Sequence, residues 1–361
     1  MPAIALIGQR FMGRAHSNAW SQVQKFFELG DPVELKVLCG RERGELEQFA
    51  ARWGWEEIST DWREVVKRDD VDIVDISVPQ HLHAEIAIEA ARHGKHLFCE
   101  KPLCVTVAEA RAMLAAAREA GVVHYLNHNY RRCPAVALAK RIVDEGGVGE
   151  VYHWRGAYQQ SWLVDPERPM DWRLRKEAAQ AGPLIDLGTH NLDLARHLGG
   201  EIDVASLSCR ARTFVRQRPE EGGGMGEVTV DDAALMGFDF VGGGMGSVEV
   251  TRFATGRRNR HSFELYGSEG AIAWDLEDMN RLRYYREADG VDVRGWRDIL
   301  VTEPGHPYVG RWWPPGHIIG YEHSFVHAAA DFLEAVAVGA RIRPDFEDGL
   351  VLAELIERAL G

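Results

Sequence analysis

The first third of the chain alternates short apolar runs with alanine-rich amphipathic segments, and no other feature restricts its fold as much. Residues 4–7, 33–38, 73–78, 96–99 and 122–125 are apolar runs too short for helices and read as buried strands. Between them, residues 13–27, 42–53, 62–66, 84–93 and 107–120 carry apolar side chains at helical spacing. Strands separated by helices of this length imply βαβ units in a doubly wound parallel sheet. Its crossovers are right-handed and its ligands sit at the carboxyl ends of the strands.

Beyond residue 125 the pattern changes. A helix over 135–145 precedes a strand at 150–158, and an irregular stretch at 161–173 leads into a helix over 184–198. Six strand-like runs follow, at 205–213, 232–240, 245–251, 261–267, 271–275 and 281–286, with glycine turns at 242–244 and 267–270. Residues 220–226 read as a mobile glycine-rich loop, and helices over 323–338 and 349–360 close the chain. At 361 residues the chain exceeds what one core usually holds, so two domains are expected. The first is a nucleotide domain over 1–125. The second, over 126–361, is an α+β domain on a large open, mainly antiparallel sheet, with its last helices able to pack back on the first.

The net charge of -13 would repel a polyanion over most of the surface, which argues against nucleic acid or an acidic membrane as partner. No apolar run reaches the roughly 18 residues of a membrane span, and the N-terminus reads as a strand rather than a signal peptide. The five cysteines, Cys39, Cys99, Cys104, Cys133 and Cys209, lack metal-ligand spacing and read as reduced thiols of a cytoplasmic protein.

Gly8, Arg10 and Gly13 stand where a G-x-G-x-x-G dinucleotide fingerprint belongs, between a strand and a helix, with Phe11 and Met12 inside the turn. Gly8 makes the tight turn and Gly13 lets the helix approach the strand. Arg10 replaces the middle glycine, so it either swings out to contact phosphate or weakens binding. After the second strand come Gly40 and Arg41 rather than an acid that grips a ribose hydroxyl. An arginine there suits a 2′-phosphate, so NAD(P) is expected with NADP favoured, unless Arg41 stacks on adenine or Glu42 turns inward. Pro79 and His83 follow the next strand and face the same crevice. His81 and His83 lack partners for a metal site, so His83 is read as packing beside the nicotinamide ribose and no metal is expected.

Lys101 stands at the end of a buried strand between Glu100 and Pro102, a proline that restricts the backbone and admits a cis bond. Asp186 and His190, four residues apart, share one face of the expected helix, with Asp193 beside them to orient the imidazole. A histidine titrating near neutrality suits removal of a hydroxyl proton as hydride leaves the same carbon, and a lysine ammonium stabilises the developing alkoxide. His190 is therefore read as general base and Lys101 as alkoxide stabiliser, with the reverse assignment of proton transfer open. Asp186 is read as binding a substrate hydroxyl. Tyr130, Arg131, Tyr158, Trp162, Trp172 and Arg173, with Trp154 among them, offer the aromatic faces and donors that a pyranose ring needs. About half the tryptophans are expected in core or interface instead, and residues 312–317 read as a loop over the site or a subunit contact.

Gly8…Gly13 followed by His16, Pro79…His83, Gly94-Lys95-His96…Glu100-Lys101-Pro102, Asn129-Tyr130-Arg131 and Asp186…His190 occur in this order. Together they resemble the glucose–fructose oxidoreductase/inositol dehydrogenase/rhizopine-catabolism (Gfo/Idh/MocA) family over essentially the whole chain. The segments 11–17, 130–136, 162–173 and 320–322 are most similar to its levoglucosan dehydrogenase and glycoside 3-dehydrogenase-like members. The resemblance implies a Rossmann domain plus an open-sheet domain that carries substrate and mediates homodimers or homotetramers. It also implies hydride exchange between NAD(P) and a sugar, glycoside or cyclitol hydroxyl, with Lys101, Asp186 and His190 as the catalytic set. Two other readings fit the same scaffold: an NAD-dependent glycosidase working by transient oxidation and elimination, and a non-catalytic dinucleotide-binding regulator.

Overall fold

The computed structural model describes residues 1–361 with the exception of the Ala178 side chain. The chain forms two compact units, Met1–Arg132 with Ile319–Ala353, and Cys133–Ile318 with Glu354–Gly361.

The first unit holds a six-stranded sheet of β1 (Ala3–Ile7), β2 (Glu34–Cys39), β3 (Glu57–Ser59), β4 (Ile73–Ile76), β5 (His96–Glu100) and β6 (His124–Asn127). The order is β3-β2-β1-β4-β5-β6 and every pair is parallel. The chain winds outward from β1 in one direction and from β4 in the other, so a crevice opens beyond the carboxyl ends of β1 and β4. Each expected strand and helix is present to within three residues at either end, and β3 is an additional edge strand. Alanines at 84, 87, 90, 91, 110 and 117 are buried against Val74, Ile76, Leu97 and Cys99, which lets the helices lie close on the sheet. The helix Val107–Ala120 starts in a capping box: Thr106 Oγ1 accepts from the Glu109 N–H, and the Glu109 carboxylate accepts from the Thr106 N–H.

The second unit carries an eight-stranded sheet. Its strands are β7 (Val151–Gln159), β8 (Ser208–Arg212), β11 (Ala233–Asp239), β12 (Met245–Thr251), β13 (Arg260–Gly267), β14 (Gly270–Asp275), β15 (Arg281–Arg286) and β16 (Arg297–Leu300). They run in the order β16-β15-β14-β13-β7-β12-β11-β8, antiparallel apart from the parallel pair β7–β12. Burial alternates along β11 and β12, with Ala234, Met236, Phe238, Val248 and Val250 inward and Leu235, Met245 and Glu249 outward. The helix Gly188–Gly199 packs on the inward face of β7, β12 and β13.

Two expectations need correction. The single helix over 184–198 is two, Pro183–Asp186 and Gly188–Gly199, with Leu187 between them. The break falls one residue before Gly188, the weakest helix former of the run. The glycine-rich segment at 220–226 is the turn of a small hairpin, in which β9 (Gln217–Pro219) pairs antiparallel with β10 (Met225–Glu227). Gly223 and Gly224 supply the positive φ that its turn requires.

Candidate active site

Gly8 leaves β1 at φ +120°, and its N–H donates to the Cys39 carbonyl at 2.9 Å. A side chain there would meet the Ser77 carbonyl oxygen at 2.6 Å, and one at Gly13 would collide with the Gly8 carbonyl. Both glycines are therefore demanded by the close approach of turn, β4 exit and helix start. The helix Phe11–Phe26 begins directly after this turn, so its free N–H groups mark an anion-binding end. Arg10 caps that helix, and its guanidinium lies 3.4 Å from Glu45 rather than reaching across the turn. Gln9 Nε2 donates to the same carboxylate at 2.9 Å. Glu45, in the first turn of the helix Arg43–Trp53, was not foreseen from the sequence. Gly40 follows β2 against the Gln9 side chain. Phe11 and Arg41 are exposed, and among the described residues the Arg41 side chain makes no hydrogen bond or ion pair.

β5 delivers Glu100 and then Lys101, and the Lys101–Pro102 peptide is cis. Behind the turn, His83 is buried with Nε2 2.8 Å from the Val78 carbonyl and Nδ1 3.0 Å from the Pro102 carbonyl. Both ring nitrogens face backbone carbonyls, which sets the His83 ring between the Lys101 turn and the exit of β4. Burial pushes the His83 imidazole below its ordinary range. Pro79 opens that same exit, exposed, as the cap of the short turn Gln80–Leu82. Tyr130 and Arg131 are buried in the first unit, Tyr130 against Tyr321 at 6.3 Å and Arg131 3.9 Å from the buried carboxylate of Asp348.

In the second unit, Asp231 fixes the start of the helix Pro183–Asp186. Its carboxylate accepts from the Gly182 N–H at 2.7 Å and the Leu184 N–H at 2.9 Å. Asp186, at the end of that helix, has a side chain 42% exposed and accepts from Arg252 Nη2 at 2.6 Å. Arg252 is only 1% exposed, and its guanidinium lies 5.1 Å from the centre of the Trp162 ring. Sequence reasoning missed Arg252 because one arginine at the end of an alternating strand looks like any solvated strand end. His190 lies in the first turn of the next helix, 5.8 Å from the Tyr158 ring and 5.9 Å from His261. Tyr158 and His261 stack nearly parallel at 4.6 Å. Gly156, two residues before Tyr158 on β7, makes room for Asn191, so the helix carrying His190 sits directly on the sheet. Asp193 is buried on that helix. Trp162 thus joins Asp186 through Arg252, and Tyr158 joins His190. The Arg173 guanidinium lies 4.4 Å from the centre of the Trp172 ring and pairs with Asp171. Trp154 stacks on Phe263 in the core at 4.9 Å. Residues 312–317 include a buried Trp312 and an exposed Trp313.

The profile of an oxidoreductase family with an NAD-binding Rossmann fold matches residues 3–128, and that of the GFO/IDH/MocA C-terminal domain matches residues 136–273. The chain belongs to the Gfo/Idh/MocA family. It is 40% identical to the levoglucosan dehydrogenase of Pseudarthrobacter phenanthrenivorans, over 99% of this chain and 94% of that protein. A levoglucosan dehydrogenase structure in complex with NADH and levoglucosan superposes with a TM-score of 0.95 at 40% identity, covering 99% of this chain and 96% of the other. An oxidoreductase domain protein from Kribbella flavida superposes with a TM-score of 0.96 at 46% identity, over 99% and 95% of the two chains. This Gfo/Idh/MocA member is therefore an NAD-binding oxidoreductase of a family that acts on sugars and cyclitols. Among its described residues no helix is long and apolar enough to cross a membrane.

Proposed function

We propose that this enzyme oxidises a secondary hydroxyl of a pyranose-like sugar, with anhydrosugars and glycosides as the first candidates. The observation that carries this reading is Asp186. Its half-exposed carboxylate is bonded by a buried arginine, four residues before a histidine that lies beside the stacked pair Tyr158 and His261. An aimed carboxylate accepts hydrogen bonds from sugar hydroxyls, and Trp162 beside it supplies an apolar face for ring C–H groups. The relative crystallised with levoglucosan supports the substrate class.

The dinucleotide fits the first unit. Gly8 and Gly13 let the turn after β1 pack tightly under the start of the helix Phe11–Phe26, whose free N–H groups would receive a pyrophosphate. Phe11, Met12, Gly40, Arg41, Pro79 and the Glu100–Lys101 turn line the exits of the strands around it. Bound there, the nicotinamide supplies the hydride acceptor. His190 takes the hydroxyl proton and Lys101 stabilises the alkoxide that forms. The five cysteines are free, as in a reducing cytoplasm, and the outward face of the second unit's sheet, with Leu235 and Met245 exposed, suits association into homodimers or homotetramers.

NAD is proposed as the working cofactor, with Arg41 as the residue that admits NADP. Gln9, which packs on Gly40, is bonded to Glu45, whose charge opposes a 2′-phosphate. The free Arg41 guanidinium favours one. Arg41→Asp is expected to lower the ratio of kcat/KM with NADP to that with NAD about tenfold, the effect of one charge-assisted hydrogen bond. Glu45→Gln should raise the same ratio, and an unchanged ratio in both variants would remove the second-strand region from cofactor choice.

The function is tested by an oxidation screen over anhydrosugars, glycosides and inositols with NAD and NADP in parallel. Reduction of the dinucleotide with at least one pyranose-type substrate is expected. Glycoside cleavage without net formation of reduced nicotinamide would replace the dehydrogenase with a glycosidase, and dinucleotide binding without any turnover would replace it with a regulator.

A further inference from the structure

His16 was singled out in the sequence only as part of a motif, and its surroundings give it a role. It lies on the helix Phe11–Phe26, 1% exposed, with two carboxylates on its ring. Nδ1 is 2.8 and 2.9 Å from the two oxygens of Asp75 on β4, and Nε2 is 2.9 Å from Glu100 Oε1 on β5. The carboxylates are themselves held. Trp20 Nε1 donates to Asp75 at 2.6 Å, and Asn127 Nδ2 on β6 donates to Glu100 at 2.6 Å. Asn127 Nδ2 also lies 3.3 Å from His16 Nε2, and Phe98 and Phe325 flank the ring.

A neutral imidazole has one N–H and one lone pair, so between two carboxylates its lone pair would face an oxygen. The doubly protonated ring donates to both. Burial alone would depress the His16 pKa, but Asp75 and Glu100 overrule it and push it up to about 10. For Glu100, burial acts to raise the pKa, yet His16 and Lys101 hold it below the usual carboxylate range. A buried charged cluster is poor evidence for stability, since apolar side chains of similar volume often serve as well. Its position is informative instead: Glu100 is bonded directly to Lys101, and the cluster spans the carboxyl ends of β4, β5 and β6 behind that residue.

We infer that Asp75, His16 and Glu100 form a positioning triad for Lys101, in which a permanently protonated His16 fixes the Glu100 carboxylate and so the aim of the neighbouring ammonium. This rests on the reading that Lys101 works in turnover. None of the three touches substrate; they act through Lys101. The ionisable groups around His16 are Asp75 from its β4 side and Glu100, with Lys101, from its β5 side, while β6 and the helix His323–Val338 present Asn127 and Phe325.

The test uses the full-length enzyme and Asp75→Asn, which keeps shape and an acceptor for Trp20 but removes the charge that holds the proton. NADH affinity by fluorescence titration is expected within about threefold of wild type, with kcat lowered roughly 10–100-fold, as for loss of an orienting partner. The kcat of the variant should also fall as pH rises between 7 and 9, a limb absent from wild type, because His16 now loses its proton there. Glu100→Gln is the second variant, should Asp75→Asn not fold, and is expected to lower kcat with NADH affinity retained. Nitrogen-15 histidine NMR of the wild type at pH 8 should show both His16 nitrogens protonated. A His16 ring with one bare nitrogen overturns the inference, as does Asp75→Asn with wild-type kcat and pH profile while Lys101→Ala is inactive. If Lys101→Ala is itself fully active, the assignment of Lys101 fails, and the NMR result still reports on the triad.

Discussion

Lys101→Ala and His190→Ala are each expected to lower kcat by on the order of 10²-fold or more. The two losses have different causes, which makes them separable. When hydride leaves a secondary carbinol carbon, negative charge builds on the oxygen unless a proton departs with it. A positioned ammonium stabilises that charge, and removing one such preorganised donor costs roughly 10²–10³ in kcat. A positioned imidazole removes the proton, and general-base catalysis is worth roughly 10²–10⁴. If His190 is the base, His190→Ala loses the ionisation near neutral pH from the kcat profile, whereas Lys101→Ala keeps it with a lower plateau. The reverse pattern would hand proton transfer to Lys101. Steady-state kinetics across pH, with the dinucleotide saturating, reads both outcomes, and near-normal turnover in either variant removes that residue from the catalytic set.

What the sequence shows and what it hides follow from the range of the interactions. The parallel sheet is legible because each strand must be apolar along its whole length and each helix along one face, so the pattern lies within ten or so consecutive residues. Gly8 and Gly13 are legible for the same reason: the turn that needs them is local. The grip of Arg252 on Asp186 spans 66 positions, and no local pattern marks either residue as half of a pair. His16, Asp75, Glu100 and Asn127 come from four elements, and each alone reads as a stray polar residue in an apolar context. The helix over 184–198 shows the limit of periodicity itself. Its apolar spacing continues through residue 187, yet the helix divides there, just before Gly188. Glu45 likewise reads as an ordinary first-turn acid until the fold brings Gln9 and Arg10 to it.

Folding stability is expected to peak a little above pH 7 and to fall toward pH 9, and the sign of the alkaline loss follows from His16. Its folded pKa, about 10, lies above its unfolded value of 6.5. Between these values the folded protein holds a proton that the unfolded chain has released, so the contribution is complete below 6.5 and is lost as pH rises toward 10. One such proton corresponds to a slope of about 1.4 kcal/mol per pH unit, a large effect against a typical stability of roughly 5–15 kcal/mol. On the acid side the signs reverse. Burial holds His83, His96, His124, His306, His323 and His327 below their ordinary range, so the unfolded chain binds protons first and stability drops as pH falls below about 7. Glu100, held low chiefly by His16 against its own burial, adds to that acid loss below about 4.5. The thiols Cys39, Cys99, Cys104, Cys133 and Cys209, all pushed up by burial, add to the alkaline loss from about pH 8, where unfolded thiols begin to ionise. Urea midpoints measured between about pH 7 and 8.5 should therefore decline more steeply for the wild type than for His16→Asn, which keeps the thiols and loses only the His16 proton. Parallel profiles for the two proteins would mean that His16 is neutral between its carboxylates, and the stability result does so without reference to catalysis.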